Sequence, residues 1–194
     1  MMTSEELLQR YAAGERDFTG ITIKRINLIL ADLRDINLSN AKMIGTKLIG
    51  ANLDGADLSG VKLMGANLTS ATLCRANLVG ADLDGSHLIG ANFCETNLND
   101  CNLWDAFVDG ASFVGANLQR AKLMVASRLG TDFTRADLRE SDLRCPRSSS
   151  IFESANLLGA VEFVPCKTDI FCKTVMPDGS IRNDGCWPDV AELS

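Results

Sequence analysis

The sequence predicts a solenoid, a chain wound about one axis and bent once every five residues. Three observations carry that expectation. Twenty-six five-residue units run in register from Phe18 to Leu143, and every unit has a large apolar residue at its centre except the one centred on Arg128. A small residue stands two positions before the centre, as at Ala51, Ala56, Val61 and Ala66. A glycine commonly falls two positions after it, as at Gly45, Gly50, Gly55 and Gly60.

No regular element buries such a pattern. An α-helix turns about 100° per residue, so a five-residue step drifts about 140° and scatters the leucines around the cylinder. A straight strand has period two and throws successive leucines onto opposite faces. A chain that bends once per unit points every leucine, and every alanine two positions earlier, at one axis. Glycine at the bend tolerates the positive φ that tight turns demand.

The ends follow different rules. Residues 1–16 read as a capping α-helix. Ser4 or Thr3 can cap it, Glu5 and Glu6 lie in its first turn, Leu7, Leu8 and Tyr11 make an apolar face, and Gly14 is a natural stop. Its expected role is to cover the core and the unpaired edge of the first coil. Residues 17–163 form the repeat region, irregular after 143. There Arg144-Cys145-Pro146-Arg147-Ser148-Ser149-Ser150 is a loop by composition, and Leu143 to Phe152 is a step of nine instead of ten. Ala155-Asn156-Leu157 resumes the pattern, so a last coil is expected to include Phe152, Leu157 and Phe163.

Residues 164–194 are a tail or cap, with a turn at Pro177-Asp178-Gly179. Cys172 and Cys186 lie equally far either side of Gly179. In a hairpin they face each other, as a disulfide or as two thiols. Two positions depart from the repeat. At Arg128 a bulge is expected to swap Leu129 inward, because a buried unpaired arginine costs several kcal/mol. Phe107 replaces the usual Asn or Asp before a centre and is expected to be exposed.

The unit, as in Ala51-Asn52-Leu53-Asp54-Gly55 and Ala81-Asp82-Leu83-Asp84-Gly85, resembles the pentapeptide repeat family, A(D/N)LXX, over roughly two thirds of the chain. The resemblance implies an all-β solenoid, a right-handed quadrilateral β-helix with four repeats per coil. Coils stacked about 4.8 Å apart would make a rod of roughly 30 Å. The segment Cys172–Ile181 resembles the tail of cyanobacterial members. For function, the resemblance implies a non-catalytic scaffold or protein-binding module. The alternative is a DNA mimic that binds DNA gyrase or another topoisomerase through a rod of DNA-like width and negative charge. Here the acidity is modest, and Asp57, Asp82 and Asp137 are mixed with Asn, Ser, Lys and Arg.

Composition narrows the classes further. A net charge of −6 and a pI near 4.8 give a nucleic-acid partner no electrostatic support. No run has the length of a membrane span and the start lacks a basic and apolar leader pattern, so a cytoplasmic protein with no membrane partner is expected. Its seven cysteines are then expected to be reduced. Cys101 occupies a small inward position and reads as a core filler. Cys74 and Cys94 are twenty apart and would stack on one side under the implied geometry, as surface thiols more simply than as a disulfide or metal pair. The sole histidine, His87, is outward, and no CxxC occurs, so a structural metal has little support. No nucleophile–base set or phosphate-cradling loop is present, which argues against an enzyme and against a cofactor.

Function is therefore sought on the outward residues. With twenty residues per coil, the position after each centre forms four columns. One runs Lys24, Ile44, Met64, Asp84, Trp104, Met124, and the next runs Ile29, Ile49, Thr69, Ile89, Asp109. The other two are mixed and polar. Ile29, Ile44, Ile49, Met64, Ile89, Trp104, Phe107 and Met124 are the candidate interaction residues, denser than scattered exposed apolar groups. The partner expected is a protein of unknown identity or a second copy in a homodimer, with self-association through the N-terminal helix as a further route. Lys42, Lys62 and Lys122 share an outward column that Asp82 interrupts, and read as a solvated stripe.

Overall fold

A computed structural model of the chain describes residues 2–23, 26–125, 127–145 and 148–186. Lys24, the loop residues Pro146 and Arg147, and the tail beyond Cys186 lie outside the described residues.

One unit shows how the repeat satisfies its backbone. Asn52 N–H donates to Ala31 O at 2.9 Å, Leu53 N–H to Thr72 O at 2.7 Å, and Gly55 N–H to Cys74 O at 2.9 Å. Ala56 N–H closes the turn on Leu53 O at 3.0 Å. The first three bonds tie a coil to its neighbours, so few amides of the narrow core are left unpaired. Asn52 forms a parallel bridge with Thr72, and the same bridge recurs from Asp17 and Asn37 to Lys122 and Asp142, twenty residues apart each time. The chain is a β-helix-type solenoid.

The second turn residue has positive φ in most units, 70° at Gly55 but also 57° at Asp35 and 58° at Asp100. A side chain there costs on the order of 1–2 kcal/mol, least for Asp and Asn. The Asn or Asp before each leucine works on the same turn. Asn52 Oδ1 accepts from Asp54 N–H and Asp57 Oδ1 from Ser59 N–H, both at 3.0 Å. Charges at the corners stack between coils: Arg120 makes a bidentate pair with Asp100 at 2.8 and 2.7 Å, and Glu140 follows in the next coil.

Inside, the leucines and the alanines between them are buried along the whole rod. Cys101 fills a small position, and burial pushes its thiol far above the ordinary range. One column changes from leucine to phenylalanine. Phe93, Phe113, Phe133, Phe152 and Phe171 stack with centroids 4.9, 5.2, 5.2 and 5.5 Å apart and planes within 8°. Phe163 meets two of these rings edge-on.

Helix α1 spans Ser4–Ala12, and Thr3 is its N-cap, its Oγ1 accepting from Glu6 N–H at 3.1 Å. Leu7 is fully buried, and Tyr11 Oη donates to Arg34 O at 2.9 Å. Leu8 turns outward at 36% exposure, so the expected apolar face is narrower than Leu7, Leu8 and Tyr11 together. The Arg10 guanidinium lies 5.3 Å over the Phe18 ring, the first residue of the core.

At the other end β1 (Arg128–Asp132) pairs in parallel with β2 (Ser148–Ile151), and the register slips between Leu129 and Thr131. Beyond the slip, bridge partners are nineteen apart, as in Asp137 with Asn156 and Asn156 with Val175. The missing residue is absorbed at the bulge, which keeps Phe152 and Phe171 on the aromatic stack. β3 (Thr174–Val175) and β4 (Ile181–Arg182) form a small antiparallel hairpin around Pro177-Asp178-Gly179. Cys172 and Cys186 are bonded across its base, with Cα atoms 4.8 Å apart. Arg182 sits 4.3 Å over Phe171, the last ring of the stack, while Arg10 covers Phe18 in a different column at the other end of the rod.

The bulge overturns the expectation for Arg128. The arginine is 1% exposed and Leu129 is 46% exposed. Arg128 keeps the column position because it pairs with Ser148 before the slip, and the irregularity comes after it. Its charge is met by aromatic faces, Phe152 at 5.3 Å and Phe163 at 5.6 Å, and by the buried Asp169. Among the described residues, no helix is long and apolar enough to cross a membrane.

Candidate docking surface

The turn after each inward leucine presents one side chain to solvent, so the ladder itself builds the columns. In the first, Ile44 and Met64 are ladder neighbours, Gly45 N–H donating to Met64 O at 3.0 Å. Asp84 follows, and then Trp104 and Met124 are neighbours through Asp105 N–H and Met124 O at 2.9 Å. In the second column Ile29 and Ile49 are joined through Leu30 N–H and Ile49 O at 2.9 Å, followed by Thr69, Ile89 and Asp109. Ile29, Ile44, Ile89, Trp104 and Phe107 are exposed, while Ile49, Met64 and Met124 are half-buried. Asp84 in the first column and Thr69 in the second therefore divide the surface into two apolar clusters, Ile29 to Met64 and Ile89 to Met124.

Two further residues extend the clusters. Leu30 is 77% exposed at a turn position usually held by glycine, and its side chain lies over Gly50, where a Cβ would come within 2.8 Å of Leu30 Cδ2. Gly50 thus leaves room for the leucine above it. Leu129 continues the second column, and its N–H donates to Asp109 Oδ1 at 2.6 Å. The sequence reading assigned Leu129 inward and did not single out Leu30, so both were missed. Phe107 stacks on His87 at 5.1 Å and 12°, covering one face of each ring.

The first column ends in a cleft of about 410 Å3 lined by Trp104, Asp105, Met124, Val125, Arg144, Cys145, Glu162 and Val164. Asp105 and Glu162 are its acidic lining, whereas several carboxylates elsewhere on the rod are paired. Asp142 is held below the usual carboxylate range by hydrogen bonds from Arg144, and Asp32 by bonds from Arg34. Burial works upward at Asp137, but bonds from Arg139 and Gln119 outweigh it. Lys62 reaches Asp82 at 3.7 Å, which breaks the lysine column as expected.

Cys74 and Cys94 stand half-buried one coil apart. Burial, then Asp54, raises the Cys74 thiol, which makes it a poor nucleophile. Among the described residues no group of three or more metal-capable side chains converges.

The repeat, ladder and columns define a repeat-protein scaffold, and the comparisons give its family. The description "Pentapeptide repeats (8 copies)" matches residues 31–69, 62–100 and 95–124. The chain belongs to the pentapeptide repeat family. It is similar to HetL of the cyanobacterium Nostoc sp. strain PCC 7120, a protein involved in heterocyst differentiation regulation. That likeness has 28% identity over 94% of this chain and 100% of HetL, with a TM-score of 0.32. It is similar to alr5209 of Nostoc PCC 7120, with 33% identity over 59% of this chain and 80% of that one and a TM-score of 0.21. QnrB1, a plasmid-mediated fluoroquinolone resistance protein, matches at 19% identity over 93% of this chain and 88% of its own, with a TM-score of 0.49. No curated protein matches the chain.

Proposed function

We propose that this chain is a non-catalytic docking module that binds a protein partner, or a second copy of itself, on the two outward apolar columns. The carrying observation is the run of exposed Ile29, Ile44, Ile89, Trp104 and Phe107 on neighbouring columns, joined by Leu30 and Leu129. Burying a tryptophan and several isoleucines at about 25 cal/mol per Å2 is a sufficient driving force for association. In this reading the rod is a right-handed quadrilateral β-helix over residues 17–163, α1 within 1–16 caps its first coil, residues 164–194 close its last, and the protein works in the cytoplasm.

The test is association of wild type against Trp104→Asp with Ile49→Asp, by pull-down from lysate of the native host and by sedimentation. The double variant is expected to lose the partner while melting within about 0.5 kcal/mol of wild type, because both side chains leave the core untouched. Unaltered binding would refute the docking face. DNA mimicry is not favoured, since the carboxylates of Asp32, Asp100, Asp137 and Asp142 are paired with arginines and offer no continuous negative stripe.

A further inference from the structure

Trp104 is the one aromatic side chain among the residues that follow the repeat centres, and it is 47% exposed. Three carboxylates surround it. Asp84 precedes it in the same column, one coil away by the ladder bond from Gly85 N–H to Trp104 O at 2.8 Å. Asp105 follows it in the chain, and Glu162 lines the same cleft from the irregular last coil. Among the described residues none of these three belongs to an ion pair. Asp82 and Asp142, in the outward column beside them, are matched by Lys62 and Arg144.

The cations at this corner are already committed or stand aside. Arg144, in the cleft lining, donates to Asp142 at 3.1 and 2.6 Å, and Glu162 acts on it through charge alone. Lys122 precedes its repeat centre, so it lies on the flat before the corner and outside the cleft lining. Elsewhere the chain supplies an arginine to its own rings, Arg16 over Tyr11 at 3.9 Å and Arg182 over Phe171 at 4.3 Å. Among the described residues the Trp104 indole has no such cation. The corner is thus apolar at its centre, where Trp104, Met124 and the 77% exposed Val164 meet, and negative at its edge.

We propose that the Trp104 corner docks a basic segment of a partner protein, with an arginine guanidinium laid on the indole and its charge met by Asp84, Asp105 and Glu162. The inference rests on the docking reading above and names the chemistry of the partner. A guanidinium suits both halves of the corner, being flat and weakly hydrated enough to stack on a ring while its edge donates to carboxylates. Its methylene stem packs on Met124 and Val164 while the charged head stays at the rim. A neutral apolar segment would cover the same ring but strip water from carboxylates it cannot match, and an acidic segment is repelled. A cleft of about 410 Å3 takes side chains of an extended segment rather than a folded surface.

The experiment titrates the full chain by calorimetry with capped pentapeptides that alternate leucine with arginine, with citrulline (the neutral isostere of arginine) or with glutamate. The arginine peptide is expected to bind about tenfold more tightly than the citrulline one, or about 1.4 kcal/mol, and the glutamate peptide more weakly than either. Asp105→Asn with Glu162→Gln changes two exposed side chains and keeps their shape. It should bring the arginine peptide to the citrulline level and leave the citrulline peptide unchanged. In a Trp187→Phe background Trp104 is the sole tryptophan, and its fluorescence should respond to the arginine peptide over the range that calorimetry reads. Equal binding of the arginine and citrulline peptides, an undiminished preference in the carboxylate variant, or no heat up to about 5 mM peptide overturns the proposal. So does a Trp104 signal that follows protein concentration and not peptide, which assigns the corner to a second copy. The docking reading is judged separately. Partner loss in Trp104→Asp with Ile49→Asp, alongside equal arginine and citrulline binding, keeps the apolar surface and removes only its basic occupant.

Discussion

Phe113 is the position at which the aromatic stack can be tested as a structural unit. Its ring is fully buried between Phe93 at 4.9 Å and Phe133 at 5.2 Å. Phe113→Leu keeps an apolar residue in the column, which already holds Leu33, Leu53 and Leu73 in earlier coils. What it removes is two ring contacts worth about 0.5–1.5 kcal/mol each beyond their burial, so the expected loss is about 1–3 kcal/mol. Phe93→Leu, at the end of the stack, removes one such contact and should cost about half as much. In the double variant the shared contact is lost once, not twice. The two single losses should therefore exceed the double loss by about 0.5–1.5 kcal/mol. Urea denaturation followed by circular dichroism and by tryptophan fluorescence measures all three, with coincident curves required for a two-state treatment. Additive losses within about 0.3 kcal/mol would refute the reasoning and reduce the rings to independent filling.

Three further outcomes are expected. Asp142 and Asp137 have folded pKa values below their unfolded ones, so each contributes stability above the ordinary carboxylate value of about 4 that is lost as pH falls through the folded value. Melting temperature between pH 6 and pH 2 should fall at the acid end, and Asp142→Asn should remove part of that slope. The Cys172–Cys186 bond spans 14 residues, for which loop closure contributes about 3 kcal/mol, so Cys186→Ser should expose the tail to protease while the central coils resist. Excess protein should leave gyrase supercoiling unprotected, since the paired carboxylates present no DNA-like stripe; protection would restore the mimic reading.

The repeat was legible because its period admits one geometry. Leu53, Ala51 and Gly55 fix an inward side chain, a small neighbour and a bend, and Asn52 adds the hydrogen bond that shapes the turn. Phe107 was legible too, as a large residue at a position that faces solvent. Arg128 was not, because desolvation argues for exposure and the stabilising rings, Phe152 and Phe163, come from a later coil whose register depends on the one-residue slip. Leu129 was lost with it. The cleft at Trp104 was also invisible, since Arg144, Glu162 and Val164 reach it from the irregular coil, where the five-residue count no longer places residues.

The corner charges give the rod a memory of its order. In packing, one coil is nearly interchangeable with the next: excising residues 101–120 would seat Leu98 on Leu138's column neighbourhood and Phe93 on Phe133 with every core position filled. The same excision would bring Asp100 against Glu140 where Arg120 now stands between them. Like charges stacked at ladder distance repel. A chain whose core permits the gain or loss of whole coils thus carries, on its edges, a record of which coil belongs beside which.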